Sequence, residues 1–251
     1  MILAIVQARM SSSRLPGKVM KKILGKPIIG YLFDRLKVSR RIDKIILATS
    51  VNQENDELVS YVQGLGFDVW RSSEEDVLER FFFAAKKYAA DTVVRITGDC
   101  PLIDVKICDQ LIDEFTKHQV DYAFLAPSFA EGLDCEVLKV TVLEKCYQHA
   151  ALASEREHVT PYIRNHKDQF KLFCLDNRED HSGYRVVVDE PEDFAMLEIL
   201  FNDYYKKIHP QGSFDGIKAY LDKHPELIKM NSHVVRNEGF IKSRQNDKAV
   251  K

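Results

Sequence analysis

The run Ile2-Leu3-Ala4-Ile5-Val6 is apolar at every position, so as a strand it has no face to offer to water. Strands of that kind belong in a parallel sheet covered by helices on both sides, where near-continuous Ile/Val/Leu runs replace the alternation of half-exposed strands. Short strand-like segments follow at Lys44 to Thr49, Phe67 to Trp70, Thr92 to Thr97 and Asp121 to Leu125. Between them Pro27 to Lys37, Asn55 to Leu65, Glu75 to Tyr88 and Val105 to Lys117 read as helices. The alternation predicts an α/β fold, a mostly parallel sheet with helices on both faces and right-handed crossovers. Beyond Leu125 the pattern loosens. Lys171 to Leu175 and Tyr184 to Val188 read as strands, and Pro191 to Tyr205 as a helix with Pro and acids at its start. From about Val234 the chain turns polar and basic and is predicted to fray, so residues 1–235 read as a single domain and 236–251 as a tail.

Composition removes several classes of function. The 251 residues suit one large domain or two small ones, and a hydrophobic content of 45% supports a sizeable core. Lys and Arg total 36 against 38 Asp and Glu, a net charge of −2, which gives no electrostatic case for nucleic acid. No apolar run approaches the roughly 20 residues that span a membrane. The N-terminal run lacks the basic flank and cleavage site of a signal peptide. Five widely spaced cysteines without a Cys-x-x-Cys argue against a disulfide framework or a zinc site and fit a reducing, cytoplasmic setting.

The most informative stretch is the loop after the first strand, Gln7-Ala8-Arg9-Met10-Ser11-Ser12-Ser13-Arg14-Leu15-Pro16-Gly17-Lys18. In open α/β sheets ligands sit beyond the carboxyl ends of strands, which is where this loop lies. Arg9, Arg14, Lys18, Lys21, Lys22 and Lys26 precede the first acid, Asp34. One-sided charge in a near-neutral chain marks a polyanion site. The serines and Gly17 let backbone N–H groups approach phosphate oxygens, and Arg grips phosphate in a bidentate way. The loop is neither a Walker A motif nor Gly-x-Gly-x-x-Gly, which counts against ATPase and Rossmann dehydrogenase readings.

Read with Leu24-Gly25-Lys26-Pro27, the loop closely resembles the start of the sugar nucleotidyltransferases. The nearest group is the SpsF-type spore-coat polysaccharide proteins, related to the sialic acid and Kdo cytidylyltransferases. The resemblance continues in order through Ile46 to Ser50, Ser73 to Arg80, Arg95 to Asp104, Gly132 to Val137, Arg156 to Tyr162 and Val188 to Asp193, covering roughly residues 1 to 200. It implies a nucleotide-diphospho-sugar-transferase-like domain in which Arg9, Arg14 and Lys18 hold a triphosphate. It also implies transfer of CMP from CTP to a sugar acid, with pyrophosphate release, in surface polysaccharide synthesis. Ala8, Ser12, Ser50, Arg95 and Gly98 join Arg9 on the nucleotide side, as do Asp76 and Arg80, whose spacing equally fits a helical ion pair.

The carboxylates complete the expectation. Asp99, in Thr97-Gly98-Asp99-Cys100-Pro101, follows a strand directly and is either a turn former or, beside a triphosphate, a Mg²⁺ ligand. Resemblance makes Asp189 the second ligand, although a role as helix N-cap stays open. Asp134 and Glu136 project to one side of an extended segment and suit sugar hydroxyls, a metal or a surface hairpin. His158 can take a hydroxyl proton or serve as a structural hydrogen-bonding group, and Arg156 or Arg185 can meet a sugar carboxylate. Arg14, Lys18 and Asp99 form the predicted catalytic centre, with Mg²⁺ as cofactor and a homodimer among the assemblies left open. A glycosyltransferase of similar fold and a non-catalytic nucleotide-binding protein are the alternatives; the former commonly uses Asp-x-Asp, which is absent here.

Overall fold

The structure, a computed structural model, describes residues 1–205 and 212–250. Strand β1 (Ile2–Gln7) enters the loop read above, which ends in a tiny hairpin of β2 (Lys22–Ile23) and β3 (Lys26–Pro27). The chain then alternates as expected: α1 (Ile28–Leu36), β4 (Lys44–Ser50), α2 (Asp56–Gly64), β5 (Asp68–Ser72), α3 (Val77–Lys87), β6 (Thr92–Thr97) and α4 (Val105–His118). After it come β7 (Tyr122–Leu125), β8 (Cys135–Lys139), α5 (Val140–His149), α6 (Ala153–His158), α7 (Pro161–Asn165) and β9 (Leu172–Leu175). Four helices close the described chain: α8 (Pro191–Asp203), α9 (Phe214–Leu221), α10 (Pro225–Asn231) and α11 (Glu238–Gln245).

The main sheet has seven strands in the order β5-β4-β1-β6-β8-β7-β9. All adjacent pairs are parallel except the two that β8 makes with β6 and β7. Alternate residues of β1 feed two cores. Ala4 and Val6 meet Leu32, Phe33, Leu58 and Leu111 of α1, α2 and α4 on one face. Leu3 and Ile5 meet Phe81, Phe82, Leu143 and Ile163 of α3, α5 and α7 on the other. Burial on both faces is what the unbroken apolar run requires. A third cluster joins α1 to α8, α9 and α10 through Tyr31, Leu197, Phe201, Phe214 and Leu227. Local signals set the helix starts: Asp76 caps α3 by accepting from Glu79 N (2.8 Å), and Asp104 caps α4 by accepting from Lys106 N (2.9 Å).

Three expectations are corrected. Tyr184 to Val188 is extended but is no strand of the sheet, and its bridge partner is Glu131 through Arg185. Its hydrogen bonds go to loops beyond the strand ends: Val186 N to Glu131 O (2.8 Å) and Val188 N to Asp99 O (2.9 Å). The segment holding Asp134 and Glu136 is not a surface hairpin, because β8 lies inside the sheet with Cys135, Val137 and Leu138 buried. The polar tail forms α11, anchored by Ser154 to Asp247 bonds (2.6 Å, 3.0 Å) and a Val250 N to Ala151 O bond (2.8 Å).

Gly132 is where the segment before β8 passes against this extended stretch. Its φ is +102°, and a Cβ there would stand 2.7 Å from the Val186 carbonyl carbon and 2.8 Å from Val187 N. Backbone cannot yield as a side chain tip can. We expect Gly132→Ala to lower the unfolding free energy by about 3 kcal/mol, combining backbone strain and overpacking, as read by urea denaturation.

Candidate active site

Gln7 pairs with Thr97 in the parallel β1–β6 ladder, so the loops that follow both strands leave the same edge of the sheet side by side. Gly98 makes the approach close: its N–H bonds Gln7 O at 2.8 Å, and a Cβ would meet Ala8 Cβ at 2.6 Å. The first loop is folded on itself, with Ser12 N (2.9 Å) and Gly17 N (3.0 Å) both donating to Met10 O. Met10 N donates to Asn55 Oδ1 (2.9 Å), and the hydroxyls of Ser11 and Ser50 both bond the Glu74 carboxylate. Ser50 therefore braces the loop from outside.

Between the strand ends, the loop and α6 lies a cavity of about 770 Å³. It is lined by Ala8, Arg9, Ser12, Arg14 and Lys18 from the first loop, by Arg95, Gly98 and Asp99 from β6 and the turn after it, and by Arg80, Asp134, Glu136, His158 and Asp189. The cavity brings together residues that the sequence scatters over nearly its whole length.

At its centre one ammonium joins two carboxylates. Lys18 Nζ donates to Asp99 Oδ2 at 2.6 Å and to Asp189 Oδ1 at 2.5 Å. Burial alone pushes the Asp99 carboxyl up; Lys18 outweighs it and leaves the group at about 2. Burial pulls the Lys18 ammonium down, and the two carboxylates more than restore it, so its net shift is upward. Arg14 stands on the outer side, 3.2 Å from Asp189, 2.9 Å from Glu190 and 3.4 Å from Glu238. Asp189 does not cap α8; Glu190 is the cap residue, and the Asp189 carboxylate is turned to Lys18 and Arg14.

A second charged cluster forms the floor. Glu136 accepts from Arg95 Nη1 (2.7 Å), Arg164 Nη2 (2.9 Å), Thr160 Oγ1 (3.0 Å) and the Tyr122 hydroxyl. Burial raises its carboxyl, and Arg95 and Arg164 carry it down to about 2. Two guanidiniums on one carboxylate leave a net positive floor. His158 is lowered by burial and by Arg95 and Arg9 against the opposing Glu157, so its ring is neutral near neutral pH. Among the described residues, Gln7 Oε1, Arg95 Nε and His158 Nε2 are buried without a hydrogen-bond partner, and all three residues line the cavity. Buried orphan atoms are costly unless a ligand completes them.

Four predicted site residues do not line the cavity: Ser50, Asp76, Arg156 and Arg185. Asp76 caps α3 and faces Arg156 at 3.3 Å, while the Arg156 guanidinium lies over the Tyr147 ring. Arg185 is consumed by Glu131 (2.5 Å) and Asp193 (2.7 Å) and is buried. Arg185 is thus not free to meet a sugar carboxylate, and Arg156 lies outside the cavity lining. Arg80 lines the cavity, but its donors are turned onto the carbonyls of Ser73 and Glu74. Asp134 is held by Arg236 at 3.1 Å.

Comparison with known proteins supplies the family. Residues 3–238 match the cytidylyltransferase family. The chain belongs to that family. It is 31% identical to the spore coat polysaccharide biosynthesis protein SpsF of Bacillus subtilis, over 90% of this chain and 95% of that protein. It is 32% identical to the 3-deoxy-manno-octulosonate cytidylyltransferase of Pasteurella multocida, over 91% of this chain and 96% of that one. A solved cytidylyltransferase from Leptospira borgpetersenii superposes with a TM-score of 0.87 at 32% identity, covering 94% of this chain and 99% of that one.

This cytidylyltransferase-family enzyme also has cavity residues that the sequence does not single out. Arg164 lies just past the Arg156 to Tyr162 motif, but a lone Arg on a helix gives no sign of its partner. Arg236, Asn237 and Phe240 lie in the segment that reads as a tail. Arg236 donates to Pro127 O and Phe129 O, both at 2.8 Å, and Phe240 sets its ring edge-on to His158 at 5.0 Å. Among the described residues no helix is long and apolar enough to cross a membrane.

The Glu136 carboxyl lies near 4.5 when unfolded and about 2 when folded. A depressed carboxyl contributes stability that is present above the unfolded value and lost as pH falls through the folded one. We expect wild-type unfolding free energy to drop between pH 4.5 and about 2, and Glu136→Gln, weaker at neutral pH, to drop less steeply. Urea denaturation at a series of pH values reads both.

Proposed function

We propose that this cytidylyltransferase-family enzyme transfers CMP from CTP to a hydroxyl of a sugar acid, supplying an activated sugar for polysaccharide synthesis. One observation carries the reading: Lys18 draws Asp99 and Asp189 to one point beside the basic loop and beyond the parallel strand ends. A triphosphate fits there through Arg9, Arg14 and Lys18, with Ala8, Ser12 and Gly98 small enough for phosphate and ribose to come close. Among the described residues, the N–H groups of Ser13 and Arg14 have no partner within the chain.

Asp99 and Asp189 also suit a divalent ion. Both already point at one cation, and their oxygens are the hard donors Mg²⁺ prefers; Mg²⁺ takes one or two protein carboxylates and completes its octahedron with phosphate and water. Among the described residues no cluster of three or more acid, His or Cys ligands exists, so the nucleotide would bring the rest. When bound, the ion would neutralise phosphate charge and fix the triphosphate's direction.

In the transfer, the acceptor oxygen bonds the α-phosphorus as the bond to the bridging oxygen of the β-phosphate breaks, and pyrophosphate leaves with that electron pair. The protein's share is alignment and charge neutralisation. Arg14 and Lys18 face the charge that develops on pyrophosphate. The neutral His158 ring, whose Nε2 is without a hydrogen-bond partner and lies 3.6 Å from Glu157 Oε2, accepts the acceptor hydroxyl's hydrogen bond and is placed to receive its proton. The sugar carboxylate falls to the net positive Arg95–Glu136–Arg164 floor in place of Arg156 or Arg185. The Pasteurella multocida relative, named for an eight-carbon sugar acid, supports that acceptor class.

Pyrophosphate release on mixing CTP and Mg²⁺ with candidate sugar acids tests the reading. We expect Arg14→Ala and Lys18→Ala to weaken CTP binding by about 1–3 kcal/mol each. Lys18→Ala also lowers the melting temperature, because it leaves Asp99 and Asp189 facing each other without a cation, while Arg14→Ala, at a more exposed position, changes it less. Asp99→Asn abolishes Mg²⁺-dependent turnover. Normal turnover by Asp99→Asn across a Mg²⁺ titration removes the metal role, and unchanged CTP affinity in both loop variants removes the phosphate role.

A further inference from the structure

Asp189 is a half-buried carboxylate of the cavity, seated on a fully buried one. Asp193 Oδ2 accepts the backbone N–H groups of Asp189 (3.0 Å) and Glu190 (2.9 Å). Its two oxygens take the Arg185 guanidinium in a fork, Nε to Oδ1 at 2.7 Å and Nη2 to Oδ2 at 2.8 Å. Asn231 Nδ2, from α10, donates to Asp193 Oδ1 (2.9 Å) and to Arg185 O (3.2 Å). Arg185 Nη1 donates to Glu131 Oε2 (2.5 Å). Asp193 is 0% exposed, and Arg185 and Glu131 are 7% exposed.

A knot of charge this deep contributes little to stability, since well-packed apolar residues often do as well in its place. What it does locally is fix direction. The two amides on Asp193 set the backbone at Asp189, and Arg185 Nη2 lies 3.7 Å from Asp189 Oδ2, on the side that Lys18 does not occupy with its bond to Oδ1. The carboxylate is thereby held from behind while its other oxygen shares Lys18 with Asp99.

We propose that Asp193, braced by Arg185 and Asn231, is a positioning residue that aims the Asp189 carboxylate at the divalent ion. The proposal rests on Asp99 and Asp189 being the ligands of that ion. Arg185, which the sequence offers as a substrate contact, then acts through Asp193 and touches no substrate.

The test uses Mn²⁺ as probe and needs no acceptor. Free Mn²⁺ is followed by electron paramagnetic resonance in the presence of CTP for wild type, Asp193→Asn and Asn231→Leu, beside CTP affinity in EDTA and the melting temperature. We expect Asp193→Asn to weaken Mn²⁺ binding to the CTP complex by about 10-fold or more, the usual effect of removing a group behind a metal ligand, and Asn231→Leu to weaken it less. CTP affinity in EDTA stays at the wild-type value. A purely structural role lowers the melting temperature and leaves Mn²⁺ affinity unchanged, and that result overturns the proposal. If Asp193→Asn does not fold, Asn231→Leu decides on the same criterion. Asp99→Asn separates the two layers: if it binds Mn²⁺ with CTP as wild type does, the metal reading fails and takes this proposal with it. If it loses the ion while Asp193→Asn keeps it, the positioning proposal alone fails.

Discussion

Everything in the site depends on β1 and β6 lying parallel and in register, Gln7 beside Thr97. Because both strands run the same way, the loops they feed must emerge together. Gly98 then removes the one side chain that would hold those loops apart. A basic loop of the first strand and a carboxylate of the sixth become neighbours without any contact between them having to pull the fold into shape. Burial of the apolar strands fixes the geometry, and the charged groups inherit it.

The charges that meet there are satisfied by each other. Lys18 sits between Asp99 and Asp189, Arg14 between Asp189, Glu190 and Glu238, and Glu136 between Arg95 and Arg164. Removing one partner from such a set leaves the other buried and unpaired, which costs far more than the pair itself contributes. In the proposed reading, a triphosphate offers Lys18 and Arg14, and its cation offers Asp99 and Asp189, a replacement partner of the same sign as the one given up. The charged side chains of the cavity are thus held in place by the same kind of Coulomb terms that the proposed ligands would use.

What the sequence disclosed follows from which residues speak for themselves. Strands β1 and β4 are legible because a run of consecutive apolar residues between turn residues fits little else than a strand covered on both faces, and β6 because Val93, Val94 and Ile96 are β-branched; the boundaries of all three fall within about one residue of the structure. Strand β8 is hidden because Glu136 sits near its start, and only the structure shows that two arginines make that charge tolerable. Tyr184 to Val188 has a strand's composition, but its hydrogen-bond partners are loop groups, and composition does not name partners. The same blindness affects Arg156 and Arg185: a guanidinium is equally visible in a sequence whether it waits for substrate or is already bound to Asp76 or Asp193. Helix α11 is unreadable for the opposite reason. It buries no residue, so it lacks the apolar stripe that marks a helix, and polar contacts to Arg14 and Glu157 hold it, with Asp247 just beyond it bound to Ser154.

The one antiparallel strand of the main sheet has a consequence for how the chain is made. On the ribosome β7 emerges before β8, yet in the finished sheet β8 lies between β6 and β7. Until Cys135–Lys139 has been synthesised, the edge of β6 stands open and β7 has no neighbour on that side. An open edge next to an unpartnered strand is the situation in which strands add to the wrong place. The buried Glu136 works against that error: its carboxylate meets Arg95 from β6 and Tyr122 from β7 at once, which only the inserted strand allows. The carboxylate that pairs the two arginines of the cavity floor is thus also the group that ties β6 and β7 to the strand inserted between them.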